Sequence, residues 1–84
     1  MVIFASSKEG FQELESIIRT GQYSIWVGGN VLTDEEISNY REMGIEITNF
    51  NNEIDTGNKN ELDNALMTIG EHHPGERIWL ESRL

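Results

Sequence analysis

Residues Val2 to Val27 read VIFASSKEGFQELESIIRTGQYSIWV, and their hydrophobic period changes twice. Val2-Ile3-Phe4-Ala5 is an unbroken apolar run, as expected of a strand buried on both faces. At Ser6 the pattern turns helical. Ser6-x-x-Glu9 fits a capping box, and Phe11, Leu14 and Ile18, with Ile17 beside them, share one face at i, i+3, i+7 spacing. Gly21 is placed to close this helix as a C-cap. Tyr23-Ser24-Ile25-Trp26-Val27, aromatic and β-branched, reads as a second strand. Strand, helix and strand in direct succession imply a parallel pair joined by a right-handed crossover.

The same alternation continues to the end of the chain. Gly28-Gly29-Asn30 ends the second strand. In Leu32-Thr33-Asp34-Glu35-Glu36-Ile37, Thr33 and Glu36 form a capping box, and Leu32 and Ile37 occupy the two positions of a hydrophobic staple. The helix that follows carries Tyr40 and Met43 and stops at Gly44. Ile45 to Phe50 alternates and reads as a strand covered on one face. The polar stretch Asn51 to Asn60, with Gly57, is the longest loop. Asn58-x-x-Glu61 opens a third helix with Leu62, Ala65, Leu66 and Ile69 on one face; Gly70 weakens its end and Pro74-Gly75 terminates it. Arg77-Ile78-Trp79-Leu80-Glu81 is the last strand.

The expected architecture is therefore a single α/β domain over residues 1–84, ordered β-α-β-α-β-α-β. It has a four-stranded parallel sheet flanked by three helices. The two most apolar strands, the first and second, belong in the centre. Strand order 3-2-1-4 follows, with 2-1-3-4 as the alternative; the first order puts two helices on one face and the third on the other.

Composition narrows the classes of function. The 84 residues include 37% hydrophobic and 25% charged residues, eight glycines and one proline, the balance of an ordinary globular domain too short for two cores. Fifteen acidic against six basic residues give a formal charge of -9, ill suited to a nucleic-acid backbone. There is no cysteine, which excludes disulfides, thiolate metal sites and thiol catalysis. No apolar run approaches the ~18–20 residues of a membrane span, and no signal peptide is visible. A cytoplasmic protein is the expectation.

Ligands of open parallel sheets bind beyond the carboxyl ends of the strands, where strand order reverses. Here that point gathers Ser6, Ser7 and Lys8 after the first strand, Gly28, Gly29 and Asn30 after the second, and Glu81, Ser82 and Arg83 after the fourth. Hydroxyls, helix N–H groups and one ammonium suit an anion, and a diglycine permits close backbone approach. The plainer reading is a helix cap and a strand-to-helix turn. Neither G-x-G-x-x-G nor a P-loop is present, and adjacent His72 and His73 lack metal-ligand spacing. The loop Asn49 to Asp55 lacks the calcium-loop pattern. No cofactor, metal or catalytic residue is expected.

Two functions remain. The first is a small acidic protein that works by binding a protein partner, a basic one being the natural complement, without catalysis of its own. Its surface would be Asp34, Glu35 and Glu42 on the second helix, together with Trp79 if three helices leave the edge strand uncovered. The usual burial of tryptophan nevertheless favours a core place for Trp26 and Trp79 alike. Pairing of a sheet edge in a homodimer is a further option. The alternative is a ligand-binding or enzymatic domain using Ser6, Ser7, Lys8, Gly28, Gly29 and Asn30 for a phosphorylated or nucleotide-like molecule.

Overall fold

The computed structural model describes residues 1–81, so Ser82 and Arg83 lie outside the described residues. Four strands, β1 (Val2–Ala5), β2 (Ser24–Val27), β3 (Ile47–Asn49) and β4 (Ile78–Leu80), form one sheet. Its order is β3-β2-β1-β4 and every neighbouring pair is parallel. The four helices are α1 (Lys8–Glu13), α2 (Glu15–Ile18), α3 (Asp34–Glu42) and α4 (Lys59–His72).

Register assigns each strand residue to a layer. Ile3 pairs with Ile25 and Trp79, while Phe4 pairs with Trp26 and Leu80. Ile3, Ala5, Ile25, Val27 and Ile47 pack with Phe11, Ile18, Val31, Leu32 and Ile37 under α1, α2 and α3. On the opposite face Val2, Phe4 and Trp26 pack with Ala65 and Ile69 of α4. All four β1 side chains are fully buried, as their unbroken apolar run requires, and each large one contributes about 1.5–3 kcal/mol by leaving water.

The helices differ from expectation in three places. The first helical segment is two short helices meeting at Leu14, whose N–H is shared between the carbonyls of Gly10 and Phe11 (both 3.2 Å). The apolar face of Phe11, Leu14, Ile17 and Ile18 crosses this joint without interruption, so periodicity carries no trace of it. The cap of α1 is Ser7, not Ser6: Ser7 Oγ accepts from Gly10 N–H at 3.0 Å. Ser6 is still held by the end of the sheet, its hydroxyl donating to Glu81 across the β1–β4 boundary. In the third box, Asn58 Oδ1 accepts from the N–H groups of Asn60 (3.0 Å) and Glu61 (3.3 Å). The Glu61 carboxylate, however, accepts from Asp55 N–H rather than closing back on Asn58. The Thr33–Glu36 box forms completely, with Glu36 accepting from Thr33 N–H at 2.9 Å and Thr33 Oγ1 from Glu36 N–H at 3.1 Å. The chain leaves α2 and α3 through Gly21 and Gly44, at φ +71° and +84°.

The two sheet edges are finished differently. On β3, the outward carbonyl of Ile47 accepts from Arg41 Nη2 at 2.9 Å and Nε at 3.3 Å, so an α3 side chain covers the edge. On β4, Trp79 stands on the α1 side of the sheet and is 46% exposed.

Candidate functional site

The strand ends converge as the topology requires. Ser6, Ser7, Lys8, Gly29 and Asn30 line a cavity of about 210 Å³ together with Val31, Glu53 and Ile54. Gly28 is buried behind it, forming part of the chain's own packing.

Protein groups already occupy the two features that sequence reading offered to an anion. The Glu81 carboxylate accepts from Ser6 Oγ (2.8 Å), Ser7 N–H (2.6 Å) and Ser7 Oγ (2.9 Å). It lies against the positive end of α1, where a bound anion would sit. Gly10 lies beneath it, and a Cβ there would meet the Glu81 carboxyl and displace it from this position. Over the diglycine, the loop after β3 folds back so that Gly29 N–H donates to Asn52 C=O at 2.8 Å. A Cβ on Gly29 would lie 2.7 Å from that oxygen. The close approach a diglycine permits is thus made by the chain itself. Asn30, at φ +67°, donates through Nδ2 to Glu53 Oε1 at 3.1 Å. The cavity therefore has one ammonium, Lys8, and a carboxylate, Glu53, on its wall.

His72 and His73 are both committed to the end of α4. Trp26 Nε1–H donates to His73 Nε2 at 3.1 Å. An indole nitrogen only donates, so this imidazole nitrogen accepts and Nδ1 carries the hydrogen facing Glu76 Oε2 at 3.1 Å. The Met1 ammonium reaches the other Glu76 oxygen at 3.1 Å. Both contacts, the ammonium's first, hold the Glu76 carboxyl below the ordinary carboxylate value. His72 Nδ1 lies 2.9 Å from Thr68 C=O, and its ring packs 5.3 Å from that of Trp26. The sequence carried no signal for this chain of contacts beyond the adjacency of the two histidines.

The residues proposed as a partner surface divide between two places. Asp34, Glu35 and Glu42 are exposed on α3, which packs against β3. Trp79 is on β4, at the far side of a sheet ordered β3-β2-β1-β4. Around Trp79, Met1, Arg77 and Ile78 complete a shallow, largely apolar recess of about 460 Å³. On the other side of the indole, Gly10, Glu13, Leu14, Leu80 and Glu81 form a smaller recess of about 190 Å³. No helix of the described residues is long and apolar enough to cross a membrane.

Comparison with family models, with curated proteins and with solved structures finds no match to this chain.

Proposed function

We propose that this chain is a cytoplasmic protein-interaction module that works by binding and performs no catalysis of its own. The observation that carries the reading is Trp79, an indole 46% exposed on an open edge strand whose counterpart Trp26 is 5% exposed. A large exposed aromatic with apolar neighbours at a sheet edge is the composition of a binding surface. The exposed carboxylates of Asp34, Glu35 and Glu42 favour a basic partner and its electrostatic steering. Of the carboxylates at the strand ends, Glu53 on the crevice wall accepts from Asn30 and Glu81 is committed to three hydrogen bonds that hold α1.

The test is affinity capture with the full chain as bait. Proteins retained by the wild type are expected to be lost with Trp79→Asp and weakened by Glu35→Lys with Glu42→Lys, yet kept by Lys8→Ala. Retention by Trp79→Asp together with loss in Lys8→Ala would overturn the reading.

One observation favours the second function, a small polar ligand at the strand ends: Ser6, Ser7, Lys8, Gly29 and Asn30 do share one cavity. A phosphorylated compound bound there at 100-fold its Kd would raise stability by about 2.7 kcal/mol, and Lys8→Ala would abolish the gain.

A further inference from the structure

We propose that the partner of the β4 edge is a second copy of this chain, paired antiparallel through β4 in a register centred on Trp79. This rests on reading that edge as the binding surface and adds the identity and geometry of what binds.

The ladder to β1 fixes which main-chain groups of β4 are used. Val2 N–H donates to Arg77 C=O at 2.8 Å and Glu81 N–H to Phe4 C=O at 3.3 Å. Arg77, Trp79 and Glu81 therefore turn their peptide groups inward, and Ile78 and Leu80 turn theirs to the open edge. Among the described residues no side chain caps those outward groups, whereas Arg41 caps Ile47 at the opposite edge. A β4-to-β3 contact between copies would propagate as an open filament, and Arg41 obstructs it. A β4-to-β4 contact closes on a two-fold axis.

The segment Arg77-Ile78-Trp79-Leu80-Glu81 is complementary to itself when reversed. With Trp79 on the axis, Ile78 faces the partner's Leu80 as a hydrogen-bonded pair, each exchanging N–H and C=O as the parity demands. The two Trp79 residues then form a non-hydrogen-bonded pair, the closer kind, with both indoles on the α1 side. Arg77 faces the partner's Glu81, bringing opposite charges together twice. The Glu81 carboxylate already accepts three hydrogen bonds and has a lone-pair position left for a guanidinium. A shift of one residue in either direction would turn inward-facing peptide groups against outward-facing ones and separate these charges.

Sedimentation of the full chain from micromolar to millimolar concentration is expected to show a monomer passing to a dimer. Arg77→Glu, which places like charges opposite each other, should weaken association by about tenfold or more. The native sequence has no cysteine, so single substitutions report register. Trp79→Cys is expected to give a disulfide-linked dimer under mild oxidation. Arg77→Cys should not, because its own copy lies ~13 Å away along the paired strands. A chain that stays monomeric to millimolar concentration would overturn the proposal, as would equal cross-linking by both variants or association indifferent to Arg77→Glu. If the chain is monomeric yet Trp79→Asp loses a captured protein, only the second copy is refuted. If Trp79→Asp retains every captured protein, the binding surface itself is refuted.

Discussion

Glu81 receives Ser6 Oγ, Ser7 N–H and Ser7 Oγ, so the positive end of α1 is answered from within the chain. Glu81→Ala is expected to lower the unfolding free energy by about 1.5–3 kcal/mol, since hydrogen bonds to a charged acceptor are lost and their donors left to water. Urea denaturation monitored by circular dichroism measures it, and a change below about 0.5 kcal/mol would contradict the role given to this carboxylate. The sequence announced the chemistry here without its occupant. The ligand site offered at Ser6, Ser7 and Lys8 stays a proposal; within the chain it is Ser6 and Ser7 that receive a carboxylate, 74 residues from Ser7. Two consecutive serines also left the cap one residue ambiguous. Only the end of the sheet, which engages Ser6, decides that Ser7 opens the helix.

At the scale of elements, α3 owes its start to a box that sequence alone makes visible. Glu36 accepts from Thr33 N–H, and this bond, with the Thr33 hydroxyl and Lys8 adding to it, keeps the carboxyl below its ordinary 4.5. A depressed folded-state value means that the folded chain binds fewer protons than the unfolded one in that range. The stabilisation is therefore present above the ordinary carboxylate value and lost as pH falls through the lower, folded one. Glu76, held low by the Met1 ammonium and His73, adds to the same acid limb. Thr33→Ala should cost about 1 kcal/mol at neutral pH, and Glu36→Gln should flatten part of the decline between neutral pH and pH ~3. Urea midpoints across that range test this; an acid limb unchanged in Glu36→Gln would contradict it. Strand order was legible for a related reason. VIFA and SIWV are apolar on both faces and demand the centre, whereas β3 and β4 tolerate a solvated side. The joint at Leu14 was not legible, because the apolar stripe is continuous through it.

On the scale of the whole molecule, the helices on the α1 side of the sheet do not reach over the outer side of β4. Trp79 is left exposed, while Trp26, equally out of step with its apolar neighbours, is sealed beneath α4. From sequence, the usual burial of tryptophan favours a core place for both indoles; Trp79 departs from it because the helices on its side of the sheet leave the β4 edge uncovered. The carboxylates of Asp34, Glu35 and Glu42, proposed above to meet a basic partner, are on α3 beside β3, at the opposite end of the sheet from Trp79. The open edge thus concentrates the distinctive features of the surface: outward peptide groups, an indole, and opposite charges, Arg77 and Glu81, spaced so that each would meet the other in a second copy. Amide spectra of the full chain, recorded with hydrogen exchange from dilute to millimolar concentration, test this most directly. The Ile78 and Leu80 amides are expected to shift and gain protection as concentration rises, with Ser6, Lys8 and Asn30 unchanged. Ile78 and Leu80 amides that stay fixed over the whole range, or shifts confined to Ser6, Lys8 and Asn30, would contradict the account.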